Sequence, residues 1–243
     1  MLSKTVLCVE GLSKAILVKR VNRFTVMVDD GISVFPVHNT NTGRLEEFLV
    51  TGREVLIKPI KGVKLTHRLV SVKDVEGLYA IVDTITQNEA FIKLVDEGLI
   101  PYFKDCFVLK RNPKIDDVVF DYLFKCGKDE AVIETKSAVL RGFNNEAMYP
   151  DCSTARGRKH VSKLIELSDK GCKAYVVFIA ALPKPKCFKP YREADPQLEK
   201  LLKVALDSGV NVKALSIYMD PQGWVILDDA DLPLCSEWLS SKS

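Results

Sequence analysis

Apolar and polar residues alternate over short runs in the first third of the chain, which is the pattern of half-buried β-strands. Segments rich in Gly, Asn and Asp separate these runs and predict turns, as at 29–31 and 39–43. The predicted strands are 15–20, 24–28, 33–37, 53–57, 68–73 and 78–82, with one brief helix over 44–50. This number of short strands predicts a small Greek-key barrel over residues 1–82, and an OB-fold fits it best.

The hydrophobic period changes from Thr86 onward to one in which helices alternate with strands. Thr86, with Glu89 three residues later, predicts the start of a helix, and Gly98 or Pro101 predicts its end. The elements predicted next are strands over 106–110, 118–124 and 131–135, a helix over 155–169, a strand over 174–180, a helix over 196–208 and a strand over 210–218. The order αβββαβ predicts a second domain of mixed α/β type over residues 83–243.

Composition and charge place the chain among folded proteins. Of its 243 residues, 47% are hydrophobic and 28% are charged, which excludes wholesale disorder. The net charge is +3, and the positive excess lies in the first 80 residues, which hold 12 cationic and 8 acidic side chains against 23 and 24 in the rest. This excess is compatible with a polyanionic partner but is too weak to indicate nucleic-acid binding by itself. No apolar run approaches the ~20 residues of a membrane span, and Glu10 lies where a signal peptide is apolar, so we expect a cytoplasmic protein.

The seven cysteines do not form a recognisable framework. They are odd in number and widely spaced, with no CxxC pair and no neighbouring His at zinc-ligand spacing. We therefore expect neither a disulfide framework nor a structural zinc site. Most of these cysteines are predicted to be small core residues in a reducing compartment.

Asp121 lies within the otherwise apolar and aromatic run 118–124. Burying a lone carboxylate costs several kcal/mol, so this residue needs a partner, a metal ion or an altered protonation state. On the next predicted strand, Glu134 and Lys136 are two residues apart and therefore share a face. If the turn over 126–129 pairs the two strands, Asp121 reaches the same face. The sequence thus predicts that two carboxylates and a lysine converge.

Asp121, Glu134 and Lys136 supply the groups needed for phosphodiester hydrolysis. Two hard oxygen ligands suit Mg²⁺ or Mn²⁺. Such a cation neutralises phosphate charge and activates a water, which the lysine can orient. The same spacing also fits a structural ion pair between Lys136 and either carboxylate, with no catalytic role.

A cluster of basic residues lies at the start of the predicted helix 155–169. Ser153 or Thr154 is the expected N-cap, and the first turn and a half contains Arg156, Arg158, Lys159 and His160. Positive side chains oppose the helix dipole here, so helix stability does not explain them. They predict a phosphate-binding site. The alternatives are a solvated basic face and, for His160, a hydrogen-bonding role.

Several short motifs are spread over nearly the whole chain: Val21-Asn22-Arg23-Phe24, HNTNTGRL at 38–45, Asp121, Glu134-Thr135-Lys136, Pro150-Asp151, TARGRKH at 154–160 and Asp195-Pro196. Together they resemble the sugar fermentation stimulation protein family. The resemblance implies an N-terminal OB-fold β-barrel and a C-terminal PD-(D/E)XK nuclease-like αβββαβ domain. It also implies DNA binding, with a suggested role in regulating genes of sugar utilisation.

The resemblance assigns roles to residues by position. It makes Asp121 the first acidic ligand and Glu134 with Lys136 the E-x-K pair. Asp151 is implied as an acidic neighbour, so that the metal set is Asp121, Glu134 and Asp151. Residues 156–160 would line the phosphate side.

Three of the motifs depart from the family pattern. Val118-Val119 stands where Ser-Arg is usual, Tyr149 where Phe is usual, and Ala155 where an acidic residue is common. The missing arginine affects substrate contacts near the first acid. The three catalytic-type residues are intact, which favours retained metal chemistry.

Four barrel residues are candidates for nucleic-acid contacts, because Arg forks and Asn amides reach phosphates and base edges: Arg23, Asn39, Thr42 and Arg44. The alternative for residues 39–43 is a plain turn. Phe24, Phe35 and Phe48 are expected in the core rather than as stacking platforms.

Three functions are compatible with these residues. The first is a Mg²⁺- or Mn²⁺-dependent nuclease that acts on DNA. The second is a non-catalytic DNA-binding regulator of sugar metabolism genes, of the maltose type, that uses the same groove. In the third, the ion triple is structural and the partner is a protein. Metal-dependent cleavage distinguishes the first, and salt-dependent DNA binding distinguishes the second from the third.

Overall fold

The structure is a computed structural model that describes residues 4–62 and 64–241, in which seventeen strands and four α-helices form. The strands of the first third are β1 (Lys4–Cys8), β2 (Ser13–Asn22), β3 (Thr25–Asp29), β4 (Val34–His38), β5 (Glu54–Pro59), β6 (His67–Lys73) and β7 (Tyr79–Ile81). The six strands predicted for this region correspond to β2–β7, with each end shifted by at most two residues.

Strands β2–β6 close into a barrel. Their order is β4-β3-β2-β5-β6, and a parallel bridge between His38 of β4 and Arg68 of β6 joins the two edges. Leu17, Val26 and Leu69 are among the fully buried residues that fill the barrel. A five-stranded barrel with this closure is of the predicted OB type.

Residues 44–50 do not form the predicted helix. They make a single turn in which the Leu45 carbonyl accepts hydrogen bonds from the amides of Phe48 and Leu49. Leu45 has a left-handed φ of 51°, which interrupts helical geometry, and its own amide donates to Asp151 Oδ2. Leu45 and Phe48 are both buried. Tertiary contacts therefore override the local helical spacing.

The rest of the chain builds a mixed sheet with helices packed on it. Its elements are α1 (Thr84–Asp96), β8 (Cys106–Arg111), β9 (Lys114–Ile115), β10 (Val118–Val119), β11 (Tyr122–Cys126), β12 (Asp129–Ser137), β13 (Ala147–Tyr149), α2 (Ala155–Asp169), β14 (Lys173–Ala180), β15 (Phe188–Pro190), α3 (Pro196–Asp207), β16 (Asn211–Met219), β17 (Trp224–Asp229) and α4 (Ser236–Ser240). β12, β14 and β16 run parallel, and β11 and β8 extend the sheet antiparallel beyond β12. Within residues 4–62 and 64–241, no helix is long and apolar enough to cross a membrane.

The start of α1 differs from the prediction. The helix begins at Thr84, and its N-cap is Asp83 rather than Thr86. The fully buried Asp83 carboxylate accepts hydrogen bonds from the amide and the hydroxyl of Thr86, which satisfies one of the free amides of the first turn. The end of α1 and the bounds of α2 agree with the sequence.

The single strand predicted over 118–124 divides into β10 and β11. The Phe120 amide donates to the carbonyl of Pro113, and the Asp121 carbonyl accepts from the amide of Asn112, so the chain bends between the two strands. Asp121 lies at this bend. The hairpin from β11 to β12 has the turn that was predicted, with Cys126 opposite Asp129.

Two strands from the first third of the chain pair with strands of the second half. β7 pairs with β6 on one side and with β16 on the other, where Tyr79 lies opposite Met219. β1, which the sequence pattern did not reveal, pairs with β17. The division of the chain between residues 82 and 83 stays a prediction.

The expectation of unpaired core cysteines was wrong. Cys106 is bonded to Cys126, and Cys187 to Cys235. The first pair lies opposite on the adjacent strands β8 and β11, a register that sequence spacing does not reveal. The three free cysteines also lie outside the buried core: Cys8, Cys152 and Cys172.

Candidate active site

Asp121 is held against β12 by hydrogen bonds. Its Oδ2 accepts from the Thr135 amide at 2.8 Å and from the Thr135 hydroxyl at 2.6 Å. Burial and the negative charge of Glu134 raise the pKa of Asp121 above its usual range, although the bonds from Thr135 act in the opposite direction. The site therefore presents a fixed carboxylate that a positive charge would stabilise.

Glu134 and Lys136 lie on one face of β12, as their spacing predicts. Glu134 is 3% exposed, and its Oε1 forms a buried ion pair with Lys136 Nζ. Burial acts to raise the pKa of Glu134, but the hydrogen bond with His160 and the charge of Lys136 outweigh it and the pKa lies below its usual range. Burial acts to lower the pKa of Lys136, but the charge of Glu134 outweighs it and raises the pKa. Both members of the pair are therefore charged at neutral pH.

His160 lies directly behind Glu134. Its Nδ1 is 2.5 Å from Glu134 Oε1, and its Nε2 accepts a hydrogen bond from Arg156 Nε at 3.3 Å. Because Nε2 accepts a hydrogen bond, the proton of the ring is on Nδ1, which donates a hydrogen bond to Glu134. His160 is 5% exposed, with its ring 5.7 Å from that of Phe120. Its position fits the hydrogen-bonding role rather than contact with nucleic acid.

Asp121, Glu134 and Lys136 line an open pocket of about 250 Å³. The start of α2 forms the facing part of the wall through Thr154, Arg156 and Gly157. Glu134 Oε2 is buried and has no hydrogen-bond partner among the residues that the structure describes. A buried carboxylate oxygen without a partner costs free energy, so this atom is available to a ligand.

Three of the four basic residues at the start of α2 already contact carboxylates. The pairs are Arg158 with Asp195, Lys159 with Asp117, and His160 with Glu134. Arg156 is exposed, lines the pocket and has no carboxylate within ion-pair distance in the described chain. Thr154 is the N-cap, since its Oγ1 accepts from the Gly157 amide at 3.0 Å. Arg156 is therefore the cation of this cluster that is best placed for a phosphate.

Asp151 holds the segment 39–45 of the barrel, which we call the barrel loop. Its Oδ2 accepts from the Leu45 amide at 2.9 Å, and a side chain at Gly43 would collide with its carboxylate. The structure does not bring Asp151 together with Asp121 and Glu134. Residues 4–62 and 64–241 contain no group of three His, Cys, Asp or Glu side chains arranged to hold a metal ion. Of the three residues predicted as metal ligands, the structure places Asp121 and Glu134 on one pocket.

A second chamber of about 190 Å³ adjoins the pocket on the side of the barrel loop. The two share the lining residues Thr135, Lys136, Ser137, Tyr149 and Thr154. From the barrel loop, the chamber is lined by Asn41, Thr42, Gly43 and Leu45. The barrel therefore contributes directly to the surroundings of Lys136.

Both halves of the chain match known family models. Residues 85–223 match the model described as the sugar fermentation stimulation protein RE domain, and residues 18–82 match the SfsA N-terminal OB domain. The chain belongs to the sugar fermentation stimulation protein family. A homolog from Pyrococcus furiosus is 42% identical over 218 residues, which are 90% of this chain and 94% of the relative. One from Archaeoglobus fulgidus is 39% identical over 219 residues, 89% and 92% of the two chains.

A solved structure of Pyrococcus furiosus SfsA, in complex with Ca²⁺, is similar throughout. Its TM-score is 0.92 at 40% identity, and the match covers 96% of this chain and 99% of that one. The predicted fold class of this SfsA-family chain, an OB-fold followed by a nuclease-like domain, is confirmed.

In this SfsA-family chain, the barrel residues predicted to contact nucleic acid differ in exposure. Arg23, Thr42 and Arg44 are exposed. Asn39 is fully buried, and its Nδ2 donates to the carbonyls of Asn41 at 2.6 Å and Arg23 at 3.2 Å. Asn39 therefore fixes the barrel loop and is not presented to a ligand.

The three barrel phenylalanines also differ. Phe48 is buried, as expected, and Phe35 is half-buried with its ring 5.1 Å from that of His67. Phe24 is 51% exposed, so the expectation that it belongs to the core was wrong. Its side chain lies at the tip of the hairpin between β2 and β3, where the barrel interior ends.

The sequence analysis missed the residues that dock the barrel loop on the nuclease-like domain. Asn41 Nδ2 donates to Ser137 Oγ at 3.1 Å, and the Thr40 hydroxyl donates to Asp83 Oδ1 at 2.8 Å. The family motif at 38–45 marked this segment, but its partners are 43 and 96 residues away along the chain. Only the fold brings them together.

Proposed function

We propose that the protein is a divalent-metal-dependent nuclease that acts on DNA. The observation that carries the proposal is the convergence of Asp121, Glu134 and Lys136 on one open pocket, with a partnerless buried oxygen on Glu134. Structural ion pairs do not require an open pocket or a free carboxylate oxygen. A site that binds a cation and a phosphate requires both.

The two carboxylates fit a hard divalent cation. Asp121 has a pKa raised by burial and by the charge of Glu134, and a cation between the two groups would relieve that repulsion. Oxygen ligands in small number, with space for water, suit Mg²⁺ or Mn²⁺. The Pyrococcus furiosus relative was solved with Ca²⁺, which also prefers oxygen ligands, and this supports the choice of a divalent cation.

Each residue of the pocket has a separate role in this proposal. Asp121 and Glu134 would hold the cation, which supplies phosphate charge neutralisation and a water of lowered pKa. Lys136, fixed by Glu134, donates hydrogen bonds to the attacking water or to the scissile phosphate. Arg156 binds a phosphate oxygen on the facing wall, and His160 holds Glu134 in orientation.

A second candidate is a non-catalytic DNA-binding protein that regulates genes of sugar metabolism. It is favoured by one observation, namely that Glu134 Oε1 already contacts both Lys136 and His160. A carboxylate whose charge is already balanced by these contacts also fits a site that holds the fold together without catalysing a reaction. DNA would then bind along the exposed arginines without being cut.

The test is cleavage of labelled single- and double-stranded DNA, with Mg²⁺, Mn²⁺ or a chelator. Glu134→Gln and Asp121→Asn keep the side-chain shapes and should reduce cutting to the level of the chelator control, and Lys136→Ala should do the same. Glu130→Gln is the matched control, because Glu130 is exposed on the same strand, β12. It should cut like the unmodified protein.

Each outcome assigns the function. Metal-dependent cutting that survives Glu134→Gln would remove the site from the mechanism. DNA binding without cutting in either metal would favour the regulator. A protein that neither binds nor cuts DNA would leave the ion triple as a structural feature.

A further inference from the structure

The tip of the β2–β3 hairpin presents an aromatic ring beside free cations. Asn22 pairs with Thr25, so Arg23 and Phe24 form the two-residue connection. Within residues 13–62 and 64–73, which include all barrel strands, Phe24 is the only exposed aromatic residue. A single exposed apolar side chain indicates little. The case for a role of Phe24 rests on the residues around it.

Turn chemistry does not account for the identity of residue 24. Hairpin connections that need a left-handed φ favour Gly, Asn or Asp, but neither Arg23 nor Phe24 has such a φ, so the backbone of this turn selects no particular residue. Here the turn is held by neighbouring asparagines: Asn22 Oδ1 accepts from the Phe24 amide at 2.8 Å, and the Asn39 amide donates to the Phe24 carbonyl at 2.8 Å. Both bonds use only the backbone of residue 24. The phenyl ring therefore takes no part in the hydrogen bonds that hold the turn.

The hairpin tip is fixed to the barrel loop, and through it to the candidate active site. Arg20 Nη2 donates to the carbonyls of Gly43 at 2.7 Å and Arg23 at 3.3 Å, while Asn39 bridges Arg23 and Asn41. Asn41 and Gly43 line the chamber that adjoins Lys136. A chain that crosses the tip thus continues along the barrel loop toward the pocket.

The charges around the tip suit a polyanion. Arg23 and Arg44 are exposed, and neither has a carboxylate within ion-pair distance in the described residues. Each arginine is therefore free to bind a phosphate.

We propose that Phe24 stacks on an unpaired base of single-stranded DNA while Arg23 and Arg44 bind the flanking phosphates, an assignment that rests on the proposed function for its choice of DNA. Aromatic side chains on OB barrels stack bases without regard to sequence, because every base has a π-face. In a duplex the bases are stacked on each other and closed to the ring. The substrate class is therefore single-stranded DNA that reaches the pocket along the barrel loop.

The experiment measures binding by fluorescence anisotropy in chelator, so that no cleavage is needed. The probes are an oligothymidylate of about 16 nucleotides, the upper site size of an OB fold, its abasic counterpart and a duplex of the same length. Phe24→Ala and Phe24→Leu should weaken binding of the oligothymidylate about 5- to 150-fold. They should leave the abasic strand and the duplex unchanged, and Phe24→Tyr should retain affinity.

Ile32→Ala is the control, because Ile32 is also an exposed apolar residue, at 93% against 51% for Phe24, in another hairpin of the same barrel. Equal weakening on the abasic strand would overturn base stacking, and so would a Phe24→Ala protein that binds like Ile32→Ala. If the unmodified protein binds single-stranded DNA and the Phe24 substitutions do not weaken that binding, the stacking proposal fails and the proposed function does not. If the unmodified protein binds no DNA in any form, the proposed function fails with it.

Discussion

The candidate site has a floor and a rim that are built in opposite ways. We call Asp121, Glu134 and Lys136, which line the pocket, the floor. We call the exposed barrel residues Arg23, Phe24, Thr42 and Arg44 the rim, and of these Thr42 lines the adjoining chamber. Floor side chains are largely buried, and each is bonded to another residue of the nuclease-like domain. Rim side chains are exposed, and neither arginine pairs with a carboxylate in the described chain. The fold itself therefore supplies partners for most polar groups of the floor, whereas within the described residues it leaves the two arginines of the rim without a carboxylate.

This difference separates two kinds of mutational effect. A change in the floor alters folding free energy as well as chemistry, because it leaves a buried charge without its partner. A change in the rim alters ligand binding at nearly constant stability. Experiments on the floor therefore need a stability control, and experiments on the rim need a ligand.

The largest effect is expected for Lys136→Ala in the floor. The substitution leaves Glu134 charged and buried with only His160 as a partner, so we expect the free energy of unfolding to fall by about 3 kcal/mol. The double variant Lys136→Ala/Glu134→Gln should recover much of this loss, since it removes the unpaired charge. Urea denaturation at neutral pH measures both. Equal losses in the single and double variants would show that packing, not charge, holds the floor together.

The next effect concerns the residue behind the floor. His160→Leu removes the hydrogen-bond donor to Glu134 Oε1. We therefore expect the Mn²⁺ affinity, measured by titration calorimetry, to fall about 10- to 100-fold. His160→Gln, which can still donate, should lose less. Unfolding of the metal-free variants serves as the control for stability. Metal affinity that does not differ among the three proteins would contradict a positioning role for His160.

The sequence predicted features that depend on local spacing. Glu134 and Lys136 share a face because side chains on a strand alternate with a period of two, and the structure agrees. The helix 155–169 begins at its Thr154 cap for an equally local reason. The barrel strands follow from alternation between turn residues. Most of the fold and the floor of the site were accessible in this way.

Features that depend on distant partners were not predicted. Asp151 was expected beside the metal and instead accepts the Leu45 amide, 106 residues away. Asn39 was expected on the surface and is buried under the hairpin tip. Arg158 was expected on the phosphate side, and in the structure it pairs with Asp195, 37 residues along the chain. In each case the residue type fits both roles, and only the register of strands and loops decides between them.

A smaller effect is expected at a contact between the barrel and the nuclease-like domain, away from the floor and the rim. Glu47 Oε1 accepts from the Arg141 amide at 2.7 Å, and burial raises the pKa of Glu47 to about 7. The folded protein therefore binds this proton more tightly than the unfolded chain does. The stability that results is lost as the pH rises from the usual pKa of 4.5 to about 7. Glu47→Gln lacks this dependence.

We expect the unfolding free energy of the unmodified protein to fall by about 1 kcal/mol relative to Glu47→Gln between about pH 5 and pH 8, since partial exposure screens the full shift. Thermal or urea unfolding across this range measures it. The opposite trend, in which the unmodified protein gains stability relative to Glu47→Gln as the pH rises, would mean that the charged carboxylate is favourably paired at the contact.

The smallest effect on stability, and the clearest mark of the rim, is expected for Arg23→Ala and Arg44→Ala. Both arginines are exposed and unpaired with carboxylates in the described residues, so unfolding free energies should stay within about 0.5 kcal/mol of the unmodified protein. Each phosphate contact that is lost should reduce the slope of log affinity for single-stranded DNA against log salt by about 0.7. Lys173→Ala is the control, because Lys173 is exposed and paired with Asp129 at the far end of β12 from Lys136. A slope that changes equally in Lys173→Ala would mean that the whole surface, and not the rim, attracts the DNA.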